Sequence, residues 1–72
     1  MQYYFMGYNK DRDIYDCLAT VDTMQTAKSL SEHYKTMLCK DELKDEFNEP
    51  YDWIELWNSE DDSGVADLII TR

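Results

Sequence analysis

Carboxylates are the side chains in this sequence with the most chemical potential, and they come close together: Asp41-Glu42, Asp45-Glu46, Glu49, Glu55 and Asp61-Asp62. Neighbouring acids can form an acid/base dyad when their environments split their pKa values, or can supply oxygen ligands to a divalent cation. Neither use follows from the spacing here. On an exposed acidic stretch, adjacent carboxylates are solvated charges. The two loops that could be aligned with a calcium-binding EF-hand lack its key residues. Starting that loop at Asn9 puts Ile14 where Gly is needed and Thr20 where the bidentate Glu is needed, and placing Gly64 at the turn puts Ile70 at the last position. His33 is the only histidine and falls at the edge of an apolar helix face, so a monomer offers no multi-histidine metal site. Gly7 and Gly64 are isolated, which excludes a glycine-rich phosphate loop. Cys17 and Cys39 are too far apart in sequence for a redox or zinc motif and are expected to be reduced packing residues. The expectation is a protein with no catalytic residue, no metal and no cofactor, and hence not an enzyme.

What remains distinctive is charge and aromatic content. The 72 residues carry 16 acids against 7 bases, a formal net charge of −9. Residues 1–40 are balanced, with Asp11, Asp13, Asp16, Asp22 and Glu32 against Lys10, Arg12, Lys28, Lys35 and Lys40. The excess therefore lies wholly in residues 41–72, where only Lys44 and Arg72 oppose the acids. Such a surface repels nucleic acid and anionic lipid, both of which are bound through Lys and Arg contacts to phosphate. It suits a basic protein, and in the limit it imitates duplex DNA, whose charges recur about every 1.7 Å along the axis. Two Trp, six Tyr and two Phe are more rings than one helix on one sheet covers easily. Trp, Tyr and Met are enriched at the centres of interfaces.

These groups are positioned by elements whose periodicity is readable. Residues 3–8 and 14–21 are rich in aromatic and β-branched types and flank the polar stretch Asn9–Asp13, which predicts a β-hairpin. Met24, Ala27, Leu30, Tyr34, Met37 and Leu38 recur at helical spacing, so a main helix is expected over about 23–38, with Asp22 and Gln25 as a capping box. Leu43 and Phe47 fall on the opposite side of a continuous rod, so a break is expected near Cys39 to Asp41, then a short acidic helix or turn over about 41–47 before Pro50. From Tyr51 to Trp57 the period is two, Ser59–Gly64 reads as a turn, and Val65–Thr71 as a last strand. The order ββαββ predicts a single α+β domain of two layers, a mostly antiparallel four-stranded sheet with the helix across one face. If Ile54 and Leu56 face the helix, Tyr51, Trp53, Glu55 and Trp57 share the other side. The reverse choice would bury Trp53 and Trp57 instead.

A chain of this length buries only about 60% of its unfolded surface, which leaves little room for a pocket with its own supporting residues. The N-terminal residues lack a basic start and a long apolar run, and Lys40-Asp41-Glu42-Leu43 is internal, where an endoplasmic-reticulum retention signal is not read; a cytosolic location is expected. The functional expectation is a small interaction module whose partner is a basic, nucleic-acid-binding protein. Asp41, Glu42, Asp45, Glu46, Glu49, Asp61 and Asp62 would supply steering and charge pairing, with Tyr51, Trp53 and Trp57 as desolvated anchors and Glu55 beside them on the partner-binding face. By physical type this is the strategy of small phage-encoded inhibitors that mimic DNA. The alternative expectation is a homodimer joined through the aromatic sheet face, with the acids serving solubility.

Overall fold

The computed structural model describes residues 2–60 and 63–72. Two runs of aromatic and β-branched residues form the first hairpin, β1 (Tyr3–Asn9) and β2 (Ile14–Val21), which leads into one helix, α1 (Met24–Cys39). The second pair, β3 (Trp53–Asn58) and β4 (Leu68–Thr71), completes a sheet of order β2-β1-β3-β4 in which every pairing is antiparallel. The α+β, ββαββ architecture is the one the periodicities predict. The last strand is shorter than expected, because Val65 to Asp67 stay outside the ladder.

Register assigns the two faces. Phe5 stands beside Ala19 and Leu56, and Ile54 beside Ile70, so these residues face the helix. The register slips between Phe5 and Met6, where Leu18 is the extra residue of β2. Such a bulge lets Ala19 and Val21 above it and Asp16 and Ile14 below it lie on one side. Against that face α1 buries Ala27, Ser31, Tyr34 and Leu38. Phe5 is fully buried and meets Tyr34 edge to face at 5.1 Å. Ser31 is polar but keeps its place in the core by donating its hydroxyl to the Ala27 carbonyl at 2.7 Å.

The helix starts one residue later than the capping box predicts. Thr23, not Asp22, is the N-cap, and its Oγ1 accepts from the Thr26 amide at 3.2 Å. At the other end Glu42 N–H donates to the Met37 carbonyl and Asp41 N–H to the Leu38 carbonyl, with Asp41 at φ 53°. This is the Schellman arrangement, with Asp at the left-handed position usually taken by Gly. The acidic segment then forms turns, not a helix. Asp45 Oδ1 accepts from the amides of Phe47 (2.9 Å) and Glu49 (3.0 Å), which withdraws those donors from any helical ladder. Arg72 closes the C-terminal end by donating to Asp41 Oδ1 (3.0 Å) and to the Tyr51 carbonyl (2.7 Å).

Both cysteines are free, but they are exposed and not packed in the core. Cys17 stands on the sheet side away from α1, beside Met6, and Cys39 is in the last turn of the helix.

Candidate functional site

The side of the sheet away from the helix carries Tyr4, Met6 and Tyr8 of β1, Trp53, Glu55 and Trp57 of β3, Tyr15 and Cys17 of β2, and Ile69 of β4. Ladder pairing brings Tyr8 opposite both Tyr15 and Trp53, and Tyr4 opposite Trp57. Tyr8 stacks on Trp53 at 4.4 Å and meets Tyr15 edge-on at 5.7 Å. Helix α1 covers only the other side, so these rings stay partly exposed, and Ile69 is 57% exposed.

Glu55 sits in the middle of this face and organises it. Its carboxylate accepts from Trp53 Nε1 at 2.9 Å, Trp57 Nε1 at 3.0 Å and the Tyr15 hydroxyl at 3.0 Å. The alternation of β3 makes this possible, because Trp53 and Trp57 flank Glu55 two residues away on the same side, and both indole N–H groups can turn inward. Burial alone would raise the Glu55 carboxyl, but the three donors outweigh it and hold the group below its ordinary value. The Tyr15 phenol is pushed up to about 12, first by burial and then by its bond to Glu55 and the charge there.

The sign of each effect follows. A carboxyl depressed in the folded state contributes stability above its unfolded pKa of about 4.3 and loses it as pH falls through the folded value. A phenol raised in the folded state contributes below about pH 10 and loses that contribution as pH rises through the folded value. In a phenolate absorbance titration Tyr15 should therefore ionise late, near 12. In a Glu55→Gln variant it should ionise earlier while staying above its ordinary value, since burial remains. An unchanged titration would show that Tyr15 and Glu55 do not interact.

The expected anchors divide. Trp53 and Trp57 lie on the open face, but Tyr51 does not join them: it is 3% exposed and packs on the helix side over Gly7. Its alternation with Trp53 fails because the strand begins only at Trp53, after a bend at Asp52, whose carboxylate accepts from the Lys10 amide at 2.7 Å. The Tyr51 hydroxyl instead donates to Asp16 Oδ2 at 3.0 Å.

The expected acids divide as well. Asp45 is buried, and besides the two amides it accepts from Asn9 Nδ2 at 3.5 Å; it is a loop organiser. Asp41 pairs with Arg72, and Glu49 with Arg12, whose guanidinium also lies over the Phe47 ring at 5.0 Å. Glu42 and Glu46 are exposed and have no ion pair among the described residues. Asp61 and Asp62 lie outside the described residues.

Tyr4, Tyr8 and Tyr15 were not among the expected site residues. Period-two alternation puts Tyr4, Met6 and Tyr8 on one face of β1, but only the hairpin register places Tyr15 there too.

Among the described residues no group of three or more His, Cys, Asp and Glu could hold a metal ion, and no helix is long and apolar enough to cross a membrane. A groove of about 480 Å³ runs between α1 and β4, lined by Ser31, Glu32, Lys35 and Thr36 and by Leu68 to Thr71. Lys35 donates to the Thr71 carbonyl at its edge, so its one ammonium serves to tie helix to strand. No family model, curated protein or solved structure matches the chain. The site thus rests on its own geometry: an antiparallel α+β fold with an open aromatic face centred on one carboxylate.

Proposed function

We propose that this protein is a non-enzymatic binding module that occupies the basic, nucleic-acid-binding surface of a partner protein, as a small phage-type inhibitor would. The observation that carries this reading is the open sheet face, where five rings surround Glu55 in a chain of net charge −9. Aromatic rings held rigidly by a sheet supply contact area at little entropic cost, and surplus negative charge steers a basic partner. Steering is the role of the unpaired acids Glu42 and Glu46, and contact is the role of Trp53, Trp57 and Tyr15. The partly exposed rings also favour a second reading, a homodimer through the same face. A two-fold axis through that face would set two Glu55 carboxylates near each other without a cation, which weakens this alternative.

The test is affinity capture from cell lysate with salt-stepped elution, followed by competition with duplex DNA. The expected result is a basic nucleic-acid-binding protein released both by salt and by duplex. With that partner in hand, Glu42→Gln combined with Glu46→Gln should slow association roughly tenfold at low salt and flatten its salt dependence, leaving the fold intact. A captured protein that duplex does not displace, or a chain that runs at twice its monomer mass with no partner, would refute the reading.

A further inference from the structure

The Glu55 carboxylate is held by three donors that keep it ionised, and among the described residues no counter-charge pairs with it. The four strands contain no Lys or Arg at all. The bases of the chain lie in the loop after β1, on or at the end of α1, in the 41–52 loop, and at Arg72, which is engaged by Asp41. A carboxylate offers about four lone-pair sites, and Trp53, Trp57 and Tyr15 fill three of them. The remaining one is on Oε2, which accepts only from Trp53, and the π-faces of neighbouring rings attract cations.

Resting on the docking reading above, we infer that the open face is a receptor for one arginine side chain of the basic partner, its guanidinium lying against the Trp53, Trp57 and Tyr15 rings and donating one N–H to Glu55. The guanidinium fits better than an ammonium. It is planar and can stack on indole while it hydrogen-bonds in its own plane, and it sheds water more readily. Bases of single-stranded nucleic acid also stack on aromatic sheet faces, but there the phosphates would meet Glu55 and the net charge of −9. The ionised carboxylate at the centre of the rings selects a cation.

The test uses the full chain and follows the indole N–H resonances of Trp53 and Trp57 while adding a short Gly/Ser peptide containing one arginine, its lysine counterpart, or an oligothymidylate. Saturable shifts of both indoles with the arginine peptide are expected, in the millimolar range for a single side chain. The lysine peptide should bind about threefold or more weakly, and the oligonucleotide should produce no shift. Glu55→Gln should weaken arginine binding about tenfold, as loss of a charge-assisted hydrogen bond requires. Should Glu55→Gln fail to fold, Ile69→Arg supplies a second route. Ile69 is exposed and directly opposite Glu55 on β4, so an arginine there should occupy the site from within and abolish peptide binding without disturbing the core.

Peptide binding that survives Ile69→Arg, equal binding of arginine and lysine, or indole shifts with the oligonucleotide would overturn the inference. So would indole shifts that follow protein concentration alone. If no peptide binds while a duplex-displaced partner is still captured, the arginine site is wrong and the docking reading stands. If the arginine peptide binds but no captured partner is displaced by duplex, the receptor stands and the nucleic-acid-binding partner is wrong.

Discussion

A Phe5→Ala variant should lose about 3–5 kcal/mol of stability and a Trp57→Ala variant only about 1–2 kcal/mol, although tryptophan is the larger side chain. Phe5 has no exposed surface and sits between the sheet and Tyr34 of α1, so truncation leaves a cavity that the surrounding elements cannot close. A chain of this size has only roughly 4–11 kcal/mol to lose, so much of the Phe5→Ala protein should be unfolded under mild conditions. Trp57 is partly exposed, pairs with Tyr4 and gives one hydrogen bond to Glu55, which keeps Trp53 and Tyr15 as donors when the indole is removed. No buried acceptor is orphaned. Urea unfolding of both variants, followed by the helix circular dichroism signal, measures the contrast. Equal losses would mean that the open face is a second core, closed in solution by another copy of the chain, and the homodimer reading would replace the binding module.

That contrast also marks how far the sequence could be read. Period-two alternation from Trp53 to Trp57 and helical spacing from Ala27 to Leu38 each reflect a regular element against one apolar layer, so the layers and their order were legible. The choice of the Ile54 and Leu56 side for the core was conditional in the sequence. It depends on Phe5, Tyr34 and Ile70 filling the same layer, and this is settled only by packing. What the pattern could not carry were features set by contacts distant in sequence. Asp41, Asp45 and Glu49 look like free charges in a run of acids, yet each is held by a partner or by the loop it organises. The Glu55 hub was half visible. Two tryptophans at plus and minus two suggest a shared face, but Tyr15 arrives from β2, a hairpin away, and only the register supplies it.

Gly7→Ala should destabilise the protein by about 1–3 kcal/mol, although alanine normally suits a strand better than glycine. Gly7 lies in the middle of β1 and faces the helix side, and a Cβ there would stand 2.9 Å from two atoms of the Tyr51 ring. The ring cannot readily withdraw. Its hydroxyl is bonded to Asp16, the residue that pairs with Gly7 on β2, its amide donates to the Leu43 carbonyl, and its own carbonyl accepts from Arg72. Tyr51 thus crosses β1 from the β3 side to β2, and only a residue without a side chain leaves space for the crossing. The same contacts raise the Tyr51 phenol well above its ordinary value, first by burial and then through Asp16. In Gly7→Ala the displaced hydroxyl should lose its Asp16 partner and ionise closer to about 10, the ordinary tyrosine value. Urea denaturation and phenolate absorbance report the two effects separately. Unchanged stability with an unchanged titration would mean that the strand absorbs the added methyl without displacing the ring, and the close approach of Tyr51 to Gly7 would then not constrain that position. A loss in both would identify Tyr51 as the brace that holds the two hairpins together beneath the aromatic face.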